Sequence, residues 1–456
     1  MGDRQVGNYS EEIWEILERH CLIPFIQMKE FLQERDQPIL QEAKGIYLKD
    51  IEGKEYLDAL GGIYCVNLGY SNRRVIEAIK EQVEKLPFVY YGTGINEPMV
   101  RLCQILGKLA PGNLNRVRID LTGSDANEIA CKIARAYFRD EGKNTVISLW
   151  GSYHGNNYGT LGMTGQRFYK EYHARNIHPN ALHLPPPNCY RCPYGLTYPK
   201  CNILCASMLD HLIQNQGSAD VAAFIAEPIL GGGGIIVPPD EYWPIIKEIC
   251  KKHDVLLVLD EVVTGFGRTG ELFGCNHWNI EPDIMTLAKG LSSMYQPISA
   301  VIFQDYLYEK LRDTDDIRHS HTAVFHPIGC AAALAGVKEV VEKDLTRNAK
   351  EMGSYLRQKL EEIGEESPFV GDVRGKGLQV GVELVKDKNT KSNFPSKIRK
   401  IIEKRCREKG MIVRVGGYQC DLVFFTPPLI IKREEIDKIC EIFYEVLGEI
   451  KNYNLS

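Results

Sequence analysis

The apolar positions along this chain change their period more than once, and each change marks a boundary between structural units. Residues 1–40 carry apolar residues at helical spacing, Ile13, Trp14, Ile16 and Leu17 among them, on an otherwise charged segment. The stretch 43–60 reads instead as a small hairpin, with strands at 45–48 and 54–57 about the turn Asp50-Ile51-Glu52-Gly53. Helical spacing returns at 73–86 and 98–109. From about 117 to 304, short apolar runs at 116–121, 145–149, 222–226, 255–259 and 300–303 alternate with helical segments. One of these segments, 239–253, opens on acidic residues and closes on basic ones, as the helix dipole favours. Wholly apolar strands alternating with helices predict a mostly parallel sheet covered on both faces.

After an alanine-rich helix at 329–341 the pattern changes again. Strands are expected near 377–384 and 421–425, and helices at 346–363, 395–409 and 433–451. This is the pattern of a second, smaller α+β unit. The expected organisation is an N-terminal segment, 1–75, joining the small domain; a large α/β domain, 76–334; and the small domain proper, 335–456.

Composition narrows the classes of function. A chain of 456 residues with 25% charged and 44% hydrophobic residues has ordinary globular values. A net charge of −5 without long single-sign runs speaks against nucleic acid or an anionic membrane as partner. No apolar stretch approaches the length of a bilayer span, and residues 1–5 are too polar for a signal peptide, so a cytoplasmic protein is expected. The fourteen cysteines are scattered, mostly in apolar segments, and do not read as a secreted disulfide framework.

The candidate chemistry lies at the ends of the apolar runs. The run 255–259 delivers Asp260, followed by Glu261-Val262, to the end of a buried strand. A second run, Met285-Thr286-Leu287-Ala288, delivers Lys289 into a turn with Gly290. A lysine beside an apolar core loses its proton readily and becomes nucleophilic toward aldehydes. With a carboxylate set against it, this is what a pyridoxal 5'-phosphate site requires: the lysine holds the aldehyde as a Schiff base and the aspartate keeps the pyridine nitrogen protonated. Gly123 and Ser124, in Thr122-Gly123-Ser124-Asp125-Ala126-Asn127-Glu128, sit between a strand and a helix where a phosphate could bind, although such a turn is commonly a plain helix cap. Tyr153, in Tyr153-His154-Gly155, could lie over a pyridine ring, and Glu227 ends another strand. Ligands of doubly wound sheets bind at the carboxyl ends of the strands, so these groups point at one crevice.

In order along the chain, these segments resemble the class III pyridoxal-phosphate-dependent aminotransferases, from Gly45 to Leu429. The most specific parts are Asp260-Glu261-Val262-Val263-Thr264-Gly265-Phe266-Gly267-Arg268-Thr269-Gly270 and Thr286-Leu287-Ala288-Lys289-Gly290. The resemblance implies the fold-type I architecture, with a large, mostly parallel sheet of seven strands. By the same resemblance Lys289 and Asp260 are the catalytic pair. Gly123 and Ser124 bind the phosphate, Tyr153 stacks on one face of the ring and Val262 presses on the other, with Glu227 close by. Thr322 would reach the phosphate of a neighbouring subunit, in a homodimer with shared active sites that could pair into a tetramer. Phe325, where a glycine is common, and Gln296-Pro297-Ile298-Ser299, where Val-Pro-Leu-Gly is common, depart from the pattern near the expected interface.

Two positions narrow the branch. Arg414 matches the arginine that grips a substrate carboxylate, a task suited to a planar guanidinium. The branches that use 2-oxoglutarate carry a glutamate where this chain has Gly232, so the resemblance points to the omega-amino acid:pyruvate and taurine:pyruvate branch. Tyr64, Phe88 and Tyr153 match positions that bound the substrate pocket there; ordinary core packing would also account for the first two. The expected substrates are an amine donor, such as taurine, β-alanine or an aromatic amine, and a keto acid acceptor. A racemase or aminomutase on the same scaffold and a non-catalytic interaction protein are the alternatives.

Two motifs stand apart from this set. The run Gly231-Gly232-Gly233-Gly234 lacks the Lys-Ser or Lys-Thr of a nucleotide-binding loop. Cys189, Cys192, Cys201 and Cys205 lie in a proline-rich loop and have two readings, a structural tetrathiolate metal site or free and buried thiols. His319 and His321 read as interface residues.

Overall fold

The computed structural model describes residues 3–171, 181–313, 317–451 and 453. Residues Asp3–His20 and Met28–Glu34 form two helices rather than one, parted by a stretch containing Pro24, which cannot continue a helix. An antiparallel meander follows, β1 (Leu40–Lys44), β2 (Tyr47–Asp50) and β3 (Glu55–Asp58). The expected hairpin is therefore its second half. β1 is largely exposed and carries little apolar signal.

The large sheet has seven strands: β4 (Leu114–Asp120), β5 (Thr145–Leu149), β6 (Ala181–Leu184), β7 (Val221–Ala226), β8 (Leu256–Asp260), β9 (Ile284–Leu287) and β10 (Ser299–Gln304). Their order is β4-β10-β9-β8-β7-β5-β6. The pairs from β9 to β6 are parallel, whereas β10 runs antiparallel to both β9 and β4. Burial explains why the central strands read as unbroken apolar runs. Along β8, Leu257 and Leu259 face one hydrophobic core, while Leu256 and Val258 face another. β7 divides likewise, with Phe224 and Ala226 on one side and Ala223 and Ile225 on the other. Each strand thus needs apolar residues at successive positions, because helices cover both faces.

The C-terminal part builds a four-stranded antiparallel sheet from β11 (Val370–Lys376), β12 (Gln379–Leu384), β14 (Arg414–Gly416) and β15 (Asp421–Phe425). The single strand expected at 377–384 is the second arm of a hairpin whose turn holds Gly377 at φ +53°. β13 (Met411–Ile412) pairs in parallel with β3, and Ile46 and Leu57 share a core with Leu356, Val423 and Phe443. The N-terminal meander is thereby packed into the C-terminal unit. The helix Pro327–Glu342 runs without a break across position 334. Among the described residues no helix is long and apolar enough to cross a membrane.

Candidate active site

The carboxyl ends of β5, β7, β8 and β9 open into one cavity of about 650 Å³. Nine of the eleven site residues expected from sequence line it: Tyr64, Gly123, Ser124, Tyr153, Glu227, Asp260, Val262, Lys289 and Arg414. Strand geometry explains the convergence. Asp260 is the last residue of β8, Glu227 follows β7 by one and Lys289 follows β9 by two. Parallel strands therefore present all three at one edge of the sheet.

Asp260 is the anchor. Its side chain is almost fully buried, and Oδ2 receives hydrogen bonds from Asn127 Nδ2 at 2.7 Å and lies 2.7 Å from His154 Nδ1. Oδ1 accepts from Val262 N at 3.1 Å, with Thr286 Oγ1 at 3.4 Å. Thr286 donates to Asn127 Oδ1 at 2.7 Å, which fixes the amide so that its nitrogen faces the carboxylate. These contacts hold the carboxyl group of Asp260 in one orientation at the end of β8.

Lys289 sits at φ +40°, an uncommon conformation for a side-chain-bearing residue, and its ammonium lies 5.4 Å from the centre of the Tyr64 ring. Burial pulls its pKa below that of an ordinary lysine, so more of the neutral, nucleophilic amine is present near neutrality. Burial pushes the Glu227 carboxyl up to about 7, although its oxygens accept from Tyr153 N at 3.0 Å and Gly231 N at 2.7 Å. The phosphate end is a helix N-terminus. Thr122 caps the helix Gly123–Tyr137 through a reciprocal box with Asp125, leaving the first amides facing the cavity. A Cβ at Gly123 would come within 3.1 Å of Val262 Cγ1, so glycine preserves the cradle there. A buried carboxylate, a lysine and a helix N-terminus in one cavity fit pyridoxal 5'-phosphate. Residues 32–447 match the model of the family described as Aminotransferase class-III. The chain belongs to the class-III aminotransferases.

Its relatives cover nearly its full length. It is 35% identical over 453 residues to the putrescine–pyruvate aminotransferase of Pseudomonas aeruginosa, across 98% of each chain. It is 37% identical to the leucine/methionine racemase of Thermococcus litoralis, across 90% of each. A thermostable (S)-enantioselective omega-transaminase from Thermomicrobium roseum superposes with a TM-score of 0.92 at 38% identity, covering 96% of this chain and 98% of that one. The protein is therefore a pyridoxal-phosphate-dependent transaminase of fold type I. Bound in this cavity, the cofactor supplies an aldehyde for an amine to attack and a ring that withdraws electrons from the carbon bearing the amine. Asp260 would hold the ring nitrogen, Gly123 and Ser124 the phosphate, and Lys289 Nζ would bind the aldehyde carbon.

Two expected residues lie outside this cavity. Phe88 is 42% exposed, with its ring 5.8 Å from that of His326, and Thr322 is exposed in the loop before the helix Pro327–Glu342. Both belong to loops that leave the cavity of their own chain. Other lining residues escaped the sequence reading. Phe25, Phe168 and Tyr169 form an aromatic group with Tyr153, with ring centres 4.9–6.0 Å apart. Arg399 also lines the cavity and pairs with Asp421. Asn127 and His154 stood inside recognised motifs, but their task became visible only with Asp260 beside them.

The four loop cysteines border one small cavity, but among the described residues no three of their sulfurs lie within 4.8 Å of one another. Among the described residues, the group with ligand atoms within 4.8 Å of one another is Asp120, His319 and His321. Lys132 Nζ lies 2.8 Å from His319 Nδ1 and Arg118 Nη2 lies 3.6 Å from Asp120, so two cations already occupy its surroundings.

Proposed function

We propose that the protein transfers an amino group from an ω-amino acid or amine, of the kind of taurine or β-alanine, to pyruvate. One observation carries this reading. Arg414 reaches the cavity with no carboxylate at ion-pair distance among the described residues, and Gly232 offers no side chain to supply one. A Cβ at Gly232 would meet only Gln166 Nε2, at 3.7 Å, so the room for a larger residue is present and unfilled. A guanidinium with no ion-pair partner there is ready to bind the carboxylate of a keto acid. Donor and acceptor must use the same cavity, so they bind in turn, in a ping-pong cycle. Between these events Lys289 Nζ, released from the cofactor, moves the proton off the substrate carbon.

The carboxylates of the cavity also bear on the donor. Both oxygens of Glu227 accept from backbone amides and Asp260 is committed to the cofactor's ring nitrogen, so neither is placed to pair with a second ammonium group. The aromatic group of Tyr153, Tyr169 and Phe25 suits an apolar or aromatic chain instead. These features favour a monoamine donor. The exposed Phe88, Tyr90, Tyr91 and Ile95 form an apolar surface of the kind that partners cover, which supports a homodimer in which Phe88 and Thr322 complete the partner's site. Two such dimers could pair into a tetramer. Fourteen free thiols suit a reducing compartment, and a cytoplasmic location is part of this reading.

The test is the visible absorption band of the bound cofactor. We expect amine alone to bleach it and pyruvate to restore it, with alanine formed in equal amount. A band that no donor bleaches, together with exchange of a substrate's α-hydrogen for deuterium, would replace this reading with a racemase or mutase.

A further inference from the structure

The glycine run 231–234 forms part of the cavity wall through Gly232, and three separate elements hold it in place. Glu227 Oε2 accepts from Gly231 N at 2.7 Å. Gly233 O accepts from Tyr418 N at 3.1 Å, which joins the run to the turn just beyond Arg414. Gly234 O accepts from Arg374 Nε at 2.8 Å. The run has no side chains of its own to pack, so these three contacts, together with the Leu230–Ile236 bridge that closes the turn, position the wall.

The third contact leads away from the site. Arg374, on β11, also pairs through Nη1 with Asp372 Oδ2 and with Glu383 Oε2, both at 2.7 Å. The approach to Glu383 Oε2 is an ion pair whose angles fall short of a hydrogen bond. Glu383, on β12, is fully buried, and its other oxygen is bound by Arg191 Nε. Arg191 stands between Cys189 and Cys192 in the proline-rich loop, where its backbone N–H is fixed by Asn188 Oδ1 at 2.9 Å. A buried charge relay therefore runs Arg191–Glu383–Arg374–Gly234. A buried carboxylate depends strongly on its cationic partners, so loss of one end disturbs the other. The reactive end of the cavity, around Asp260 and Lys289, has no member in this chain of contacts.

We propose that Arg191, Glu383 and Arg374 are positioning residues for substrate specificity, through which the cysteine-rich loop fixes the glycine wall of the substrate cavity. The proposal rests on the transaminase reading of that cavity. It gives the loop a task that needs no metal. It also predicts that the wall yields to changes well outside the cavity, because this relay joins the loop to the wall.

The experiment compares holoenzyme of wild type, Arg191→Met, Arg191→Lys and Glu383→Gln. The donors, each assayed with a keto acid or aldehyde other than pyruvate as acceptor, are L-alanine as the short one and straight-chain ω-amino acids from β-alanine to 6-aminohexanoate as a series. A member that is not turned over is read as a competitive inhibitor of L-alanine. In Arg191→Met we expect KM or Ki for 6-aminohexanoate to change by about tenfold, while kcat and KM for L-alanine stay within about twofold. The cofactor band should be unchanged, and Arg191→Lys should restore part of the effect. Glu383→Gln should act in the same direction and more strongly. Equal losses for short and long substrates, or no change for either, would overturn the proposal. Loss of the cofactor band in wild type would instead count against the transaminase reading, so the two failures are distinguishable. Should Glu383→Gln fail to fold, Arg191→Met still decides, because its side chain is partly exposed and its loss leaves the strands intact.

Discussion

The two ends of the cavity are built on opposite principles. At the inner end both oxygens of Asp260 accept from protein groups, and one of these donors, Asn127, is itself oriented by Thr286. At the outer end Arg414 is exposed, with no carboxylate at ion-pair distance among the described residues, Gly232 leaves room unfilled, and Phe25 is 66% exposed. The inner end holds one cofactor in one orientation, so order established in advance lowers the cost of each cycle. The outer end must receive a donor and a keto acid in succession, and a site saturated with internal partners could receive neither. Fixed groups make the reaction possible, and unpaired groups decide which molecules undergo it.

Substitutions at the inner end should break the reaction outright. On the proposed mechanism Lys289→Ala removes the nucleophile and the proton carrier together, and turnover should fall by at least about a thousandfold. Near-normal rates would remove Lys289 from its role. Asp260→Asn keeps the shape but loses the charge, and its amide nitrogen would then face either the Asn127 Nδ2 or the Val262 N donor. We expect kcat to drop about a hundredfold or more while some cofactor remains bound. A loss confined to KM would show that Asp260 acts on substrate instead.

The same contrast decides what could be read from sequence. β5, β7 and β8 were legible because burial on both faces makes every residue apolar. β6 and β11 were not, since most of their residues are only half-buried and their pattern is mixed. Lys289 and Asp260 announced themselves because their neighbours form specific motifs. Asn127 and His154 lay in those motifs without a visible task, since their meaning is a distance to a residue more than a hundred positions away. Phe25 had no signal at all: it sits at φ +62° in an irregular stretch, and its role comes from where the chain passes over the cavity.

A change at the outer end should alter selectivity and spare the chemistry. Arg414→Ala removes a charge-assisted contact of about 1.5–3 kcal/mol, equivalent to a rise in KM for pyruvate of about ten- to a hundredfold. An amine donor without a carboxylate should show about twofold change or less. Equal effects on both would mean that Arg414 shapes the cavity and does not grip a carboxylate. Phe25→Ala should act more weakly, raising KM for aromatic donors by a few-fold and leaving that for pyruvate unchanged. An equal rise for pyruvate would place Phe25 in the path of every substrate.

Glu227 lies between the two ends and offers the smallest and most discriminating effect, one on stability against pH. Burial raises its folded-state pKa from the usual 4.5 to about 7. Between those values the folded protein keeps a proton on Glu227 that the unfolded chain has released, so the folded state binds more protons. Stability from this group is then present below about pH 4.5 and is lost as pH rises through 7. Glu227→Gln cannot titrate, and its amide nitrogen cannot accept from Gly231 N or Tyr153 N, so it should be less stable overall. The slope is therefore the measure, not the level. Melting temperatures taken from pH 5 to 8 should show wild type losing, relative to the variant, on the order of 1–3 kcal/mol. Parallel curves would mean that Glu227 is ionised throughout that range, held so by the two backbone donors. The inner, charge-fixing half of the cavity would then extend one residue further toward the substrate.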